Sequence, residues 1–344
     1  MADVKRIQSD IDKFRHITEP CDAGITRIGF TETYRQGSDY FKDCMKKIGL
    51  TVREDKVGNV YGRLEGSEKN LPAIMSGSHL DTVRCAGAFD GIAGAVCALE
   101  VARMMKEKGV VLRHPFEVVG TMEEEGTRFG QVLLGSQFIT GVFGGKELDS
   151  IKDPEGNTLR EIRRSYLPRN VCPAYRKDDE ILAFLELHDE QGPVLEDENI
   201  DIGIVEGIVG ISWLTVTVNG FAGHAGTVPM PLRQDAATGA CRLVNSIALH
   251  TSRCYADRAT ATVGKLELLP GSSNCIPSKC TFTVDIRSAQ MSNIDELIEY
   301  IRKESREVEK ECNVEINIYV NSRKEPIKLN RDIGNLIQKS CEKL

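Results

Sequence analysis

The chain has 344 residues, 41% hydrophobic and 28% charged, with a net charge of −7. That length exceeds one small core, so two domains are expected, and the composition is that of a globular protein. The acidic balance, without any basic cluster, argues against a nucleic-acid partner, and no apolar run approaches the roughly 18 residues of a membrane span. The opening Met1-Ala2-Asp3-Val4-Lys5 lacks an apolar signal core. Eleven cysteines, an odd number, include no Cys-x-x-Cys pair. Cys85, Cys97, Cys241 and Cys280 sit among apolar or small residues, so reduced, mostly buried thiols in a cytoplasmic protein are expected.

In chain order, residues 60–64, 73–76, 116–122 and 181–187 read as strands. Residues 91–108 read as a helix with Ile92, Ala95, Val96, Leu99 and Ala102 on one face. This alternation is an α/β pattern. Residues 141–180, rich in charge, Gly and Pro, read as short helices and loops. The character changes near residue 210. Leu214, Val216 and Val218 alternate as in a strand, and Ala240, Leu243, Val244 and Ile247 repeat as on a helix. Residues 259–266 and 281–287 are strand-like. Ile294, Leu297, Ile298 and Ile301 mark a second helix, and Val314, Ile316, Ile318 and Val320 a last strand. The order β-α-β-β-α-β is the split βαβ arrangement of ferredoxin-like domains. The expected division is an α/β domain of residues 1–210 resumed at 327–344, with a unit of residues 211–326 inserted into it. The last segment begins another helix.

Chemistry concentrates at the ends of the first set of strands. The strand 116–122 runs into Glu123-Glu124-Glu125 at a sheet edge, where open α/β folds place their ligands. A run of Glu alone is equally a solvated face. Carboxylates this close repel unless a cation lies between them, and His79 and Asp90 add the other ligand types a divalent metal takes. Asp81 follows His79 at i+2 on an extended segment, so it is expected to take the free ring N–H of His79. Asp90 sits where the helix begins. His188 lies in Glu186-Leu187-His188-Asp189-Glu190-Gln191-Gly192-Pro193, at a strand end. His224 lies in the Gly-rich stretch from Gly220 to Met230, which suggests either backbone approach to a ligand or a plain Gly-rich hairpin. His16, His114 and His250, the rest of the six histidines, read as surface or packing residues.

Six segments, in order, resemble the motifs of the M20-type metallopeptidase family. They are Gly77-Ser78-His79-Leu80-Asp81-Thr82-Val83, Phe89-Asp90-Gly91 and Glu124-Glu125-Gly126-Thr127-Arg128-Phe129. The others are Glu186-Leu187-His188 through Gly192-Pro193, Gly223-His224-Ala225-Gly226-Thr227, and Pro270-Gly271 through Asn274 with Pro277. The likeness runs from about residue 25 to the end. It is narrowest with the amidohydrolase branch: allantoate amidohydrolase, N-carbamoyl-L-amino-acid hydrolase and β-ureidopropionase. Met122-Glu123-Glu124-Glu125-Gly126 and the stretch from Asp55 to Leu64 look closer to allantoate amidohydrolase.

The resemblance implies a metal-dependent hydrolase domain with an inserted dimerisation or lid domain, and two divalent ions, Mn²⁺ or Zn²⁺. His79, Asp90 and His188 would hold one ion, and Asp90 would bridge to a second ligated by Glu125. Glu124 would be the general base, with Asp81 orienting His79. His224 would stabilise the tetrahedral oxyanion in the site of a partner subunit, which implies a homodimer. Gln191, Asn274 and Arg287 would bind substrate; Arg233 would either help or cap its helix with Asp235. The implied reaction cleaves a linear C–N bond in allantoate or a related ureido acid and releases ammonia. The alternatives are an N-carbamoyl-L-amino-acid hydrolase or β-ureidopropionase, or a catalytically impaired dimeric remnant.

Two departures stand out. The family continues for several dozen residues with a Gly-His-Asp motif whose His completes the second metal site. No His follows His250 here, so the C-terminal part of the hydrolase domain is expected to be missing and the second site incomplete. Asp189 stands where the branch usually has an apolar residue; it would either perturb His188 or face solvent.

Overall fold

The computed structural model describes residues 1–343. They divide into two compact units, Met1–Val194 and the residues from Leu195 onward.

The first unit opens with two helices, α1 (Val4–Arg15) and α2 (Glu32–Ile48). Neither was among the expected elements, although Ile7, Ile11 and Phe14, and then Tyr34, Phe41 and Met45, recur at helical spacing and turn inward. Strands β1 (Thr51–Glu54), β2 (Val60–Leu64) and β3 (Ala73–His79) lead to α3 (Ile92–Glu107) and β4 (Phe116–Thr121). A short helix α4 (Leu134–Ile139), not among the expected elements, comes next; α5 (Glu147–Ser150) and α6 (Leu159–Tyr166) lie among loops in residues 141–180, as expected there, and β5 (Ile181–Leu185) follows. The five strands form one sheet in the order β1-β2-β4-β3-β5. β3 runs parallel to β4 and β5, whereas β1 and β2 are antiparallel additions. The parallel centre is buried on both sides, which is why β4 shows a nearly continuous apolar run. Ile92, Ala95, Val96, Leu99 and Ala102 of α3 join Phe41, Leu80 and Val118 in the main core.

Two strands stop short of their expected ends. β4 ends at Thr121 because the Met122 amide leaves the ladder and donates to Asn59 Oδ1 at 2.9 Å. β5 ends at Leu185; it is an edge strand, with Leu182 and Phe184 exposed.

A one-turn helix α7 (Val194–Asp197) spans the junction. The second unit is built on β7 (Gly210–Asn219), α8 (Ala236–Cys254), β9 (Ala259–Thr262), β10 (Leu266–Leu269), β12 (Lys279–Ser288), α9 (Met291–Cys312) and β13 (Glu315–Lys324). The single strand expected over 259–266 is broken into β9 and β10 around Gly264, and both halves pair with β12. The resulting order, β9/β10-β12-β7-β13, is antiparallel throughout and is that of a split βαβ unit. Alternate residues of β7 and β12, such as Leu214, Val216, Phe282 and Val284, pack on Leu243 and Ile247 of α8 and Ile294, Leu297 and Ile301 of α9. Two ribbons complete the unit: β6 (Gly207–Ile208) with β14 (Ile327–Lys328), and β8 (Gly223–His224) with β11 (Cys275–Ile276). The last helix is α10 (Arg331–Cys341).

All eleven cysteines are free, but only Cys44 and Cys280 are buried. Cys85 and Cys241, expected inside, are exposed. Cys85 sits at a left-handed turn, φ 54°, that holds it outward. Among the described residues no helix is long and apolar enough to cross a membrane.

Candidate metal centre

His79 is the last residue of β3 and is 2% exposed. Its Nδ1 lies 3.0 Å from the Asp81 backbone carbonyl. A carbonyl only accepts, so Nδ1 carries a proton and Nε2 is the nitrogen that a metal could take once its own proton is displaced. That Nε2 is 3.2 Å from Asp90 Oδ1. His188, three residues beyond β5, repeats the pattern: Nδ1 faces the Asp189 carbonyl at 3.0 Å and Asp189 Oδ1 at 3.2 Å, and Nε2 is 3.4 Å from the same Asp90 oxygen. The two rings stack with centroids 5.7 Å apart. Asp90 is brought close by Gly91, the N-cap of α3, at φ 68°. A Cβ on Gly91 would lie 2.6 Å from the His79 ring, so only glycine allows this approach.

The acids come from the end of β4. The expected Asp81–His79 side-chain bond is not formed: the nearest approach is 3.9 Å. The Asp81 carboxylate is instead turned to the acid strip, where Oδ1 accepts from the Glu124 amide at 3.0 Å and Oδ2 from the Glu125 amide at 3.1 Å. Those amides have no strand partner once β4 has ended, and a buried amide must find an acceptor. On the other side, the carbonyls of Met122, Glu123 and Glu124 accept from the amides of Gly135, Leu134 and Leu133. Glu123 turns inward at φ 53°, is fully buried, and accepts from the amides of Arg128 and Phe129. The run is therefore neither a solvated face nor three equivalent ligands. Glu124 and Glu125 face His79, and their donor atoms and a ring nitrogen lie within 4.8 Å of one another; His79, Asp90 and His188 do the same.

The electrostatics follow from this crowding. Burial opposes a proton charge on His79, but the Asp90 hydrogen bond and the charges of Asp81, Glu124 and Asp90 outweigh it and push its pKa up to about 10. Burial and the nearby Asp90 charge raise Glu125 to about 7, and burial raises Glu124. Asp90 is held below the usual carboxylate range chiefly by the His79 hydrogen bond. Without a metal the His79 ring is therefore protonated and donates to Asp90; the Nε2 atoms of His79 and His188 and an Asp90 oxygen meet at one point, with more acids behind. A cluster this rich in acids needs a positive charge, here the His79 proton; a divalent ion would take its place, and the nitrogen and carboxylate ligands suit one.

The second unit holds the other predicted residues. His224 lies on β8, opposite Cys275 of β11. Its Nδ1 accepts from the Gly226 amide at 3.1 Å, so the ring offers an Nε2–H donor. Asn274 is beside it, its carbonyl accepting from the Ala225 amide at 3.0 Å. Arg233 does not cap α8; Asp235 does so alone, accepting from the Ala237 and Thr238 amides. The Arg233 guanidinium donates to the carbonyls of Ala225 (2.6 Å) and Val228 (3.0 Å), closing the loop that carries His224. Arg287, on β12, is paired with Asp285 two residues away, at 2.9 Å. Gln191 is exposed at a left-handed turn, φ 56°. The metal-type ligands thus gather in the first unit, and His224, Asn274 and Arg233 in the second. Sequence reasoning missed Asn59, which has no ligand chemistry to betray it. It left open Asp189, whose carboxylate touches the His188 ring.

Residues 75–344 match the family described as peptidase family M20/M25/M40. An N-carbamoyl-L-amino-acid amidohydrolase of Paenarthrobacter aurescens is 41% identical over 319 residues, covering 92% of this chain and 77% of that protein. The allantoate amidohydrolase of Escherichia coli (strain K12) is 35% identical over 323 residues, covering 93% and 78%. The crystal structure of a hydantoinase/carbamoylase family amidase from Burkholderia ambifaria superposes with a TM-score of 0.86 at 32% identity, covering 99% of this chain and 82% of that one.

Proposed function

This chain belongs to peptidase family M20/M25/M40, and on that premise we propose that it is a metal-dependent amidohydrolase cleaving a linear C–N bond of allantoate or a related ureido acid, with release of ammonia. The observation that carries the reading is the convergence of His79, Asp90 and His188, and of His79, Glu124 and Glu125, each within 4.8 Å. His79, Asp90 and His188 would hold one Mn²⁺ or Zn²⁺ ion. Asp90 would bridge to a second, with Glu125 as its further ligand among the described residues. When bound, the ions would supply Lewis acidity and positive charge in place of the His79 proton.

The chain's own groups account for the rest. Glu124 takes the proton of the attacking water and delivers it to the leaving nitrogen; burial raises its pKa toward the range where a carboxylate works well as a base. Asp81 fixes where Glu124 and Glu125 stand. The Nε2–H of His224 donates to the oxyanion as it forms. In a homodimer built through the second units, that donor would come from His224 of the partner subunit. Asn274 and Gln191 bind the ureido group. Arg287, once released from Asp285, clamps the substrate carboxylate.

A second reading, an N-carbamoyl-L-amino-acid hydrolase, is favoured by the 41% identity to an enzyme of that name. Ammonia release from allantoate and from a panel of N-carbamoyl-L-amino acids, measured on the chain loaded with Mn²⁺ or Zn²⁺, separates the two. Turnover of allantoate above the panel supports the first reading, the reverse order supports the second, and hydrolysis of neither overturns both.

A further inference from the structure

The parallel ladder between β3 and β5 ends at Ser76 and Leu185. His79 and His188 each lie three residues beyond it, so no backbone pairing of these two strands reaches the level of the ligands. His79 is held from its other side, where β3 continues to pair with β4 through Thr121. His188 has no such support; its side chain is one-third exposed and its segment has left the sheet.

One side-chain bond spans this gap. The hydroxyl of Ser78, a buried residue next to His79, donates to Glu186 Oε1, two residues before His188. Helix α3 closes the same space from behind: a side chain on Gly94 would run into the Leu187 carbonyl and the Ser78 Cβ. The three ligand-bearing segments therefore meet through the neighbours of their ligands: Ser78 beside His79, Gly94 in the first turn of the helix that follows Asp90, and Glu186-Leu187 before His188.

We propose that Ser78 and Glu186 are a positioning pair that takes over from the β3–β5 ladder, setting the distance between His79 and His188 and thereby the affinity of the centre for a divalent cation. This rests on the reading that His79, Asp90 and His188 hold an ion. Groups that orient metal ligands from behind typically change affinity by about 10–100-fold when removed.

The test is calorimetric titration of Mn²⁺ into the metal-stripped chain and its variants Ser78→Ala, Glu186→Ala, the double variant, Glu186→Gln and His79→Ala. Each alanine variant at 78 or 186 is expected to weaken the tighter site by about 10–100-fold, and the double variant no further than the worse single one. Glu186→Gln, which retains an acceptor for the Ser78 hydroxyl, is expected to bind nearly as the parent does. If Glu186→Gln loses as much as Glu186→Ala, the effect is charge and not position, and the proposal fails. Additive losses in the double variant also overturn it, as does unchanged affinity in both single variants while His79→Ala abolishes binding. Tight binding that survives His79→Ala overturns the metal-site reading itself. Glu186 is exposed, so its variants fold and decide the matter even if Ser78→Ala does not.

Discussion

Asp81 is completely buried, and its carboxylate hydrogen-bonds no imidazole; both oxygens accept from the amides of Glu124 and Glu125. It positions two side chains by holding the backbone beneath them. This separates what Glu124 does from where it stands. Glu124→Gln keeps the amide pinned and the shape intact but removes the base. Turnover should fall by roughly 10²–10⁴-fold with metal content unchanged, checked by kcat beside metal analysis of the same preparation. Retention of most activity would remove Glu124 from proton transfer. Asp81→Asn has the opposite character. Its amide group faces an N–H with a donor, so one of the two bonds is lost. The acid strip should then shift, and weaker binding of the second Mn²⁺ equivalent should accompany the loss of activity; unchanged titration would show that another anchor suffices.

Strand β4 carries a second buried acid with a different task. Glu117 is 1% exposed and is held by Arg53, Arg63 and Arg176 at 3.2, 2.9 and 2.9 Å. Burial opposes its charge, but the Arg176 hydrogen bond and the neighbouring guanidinium groups win and hold its pKa below the usual carboxylate range. A folded pKa below the unfolded one means that ionised Glu117 stabilises the fold above the ordinary carboxylate pKa, and that this contribution is lost as pH falls through the folded value. Glu117→Gln should therefore cost on the order of 3–5 kcal/mol near neutral pH and flatten the acid limb of a denaturation profile. An unaltered acid limb would place the stabilisation elsewhere. Elements of this kind were only partly legible in the sequence. Most strands and helices with a regular apolar period were readable, though α1 and α2 were passed over despite theirs; the candidate ligands that the structure brings together were also readable, because few residue types bind metals. Asn59 and Asp81 were not readable as anchors. Their role depends on which amides β4 abandons when it ends at Thr121, and that is set by the neighbouring segments rather than by local pattern. The break between β9 and β10 did leave a trace: the alternation changes phase between Ala259, Ala261 and Val263 and then Leu266 and Leu268, matching the one-residue shift of register on their shared partner β12.

For the whole molecule, the proposed functional groups fall in different units. The metal-type ligands lie before Val194, whereas His224, with its free Nε2–H donor, lies after it. If His224 acts in the site of a second copy, then inactive chains should repair each other. A His224→Ala chain mixed with a Glu124→Gln chain should recover up to about half of the parental activity per heterodimer, because one of its two sites contains both groups. Heterodimers that form without recovery would assign His224 to its own chain's site or remove it from the reaction.

The outer side of β5 has no strand partner among the described residues, and Leu182 and Phe184 stand exposed beside it. A row of open N–H and C=O groups flanked by apolar side chains is a template for adding strands from other molecules. The consequence is colloidal and has nothing to do with chemistry at the metal centre. Concentrated solutions of these 344 residues alone should grow turbid by edge-to-edge growth, at a rate that rises with protein concentration and is insensitive to added Mn²⁺. Leu182→Lys should keep them clear, as charge on an edge strand does elsewhere, while leaving calorimetric metal binding as it was; persistent light scattering in that variant would locate the sticky surface on another face.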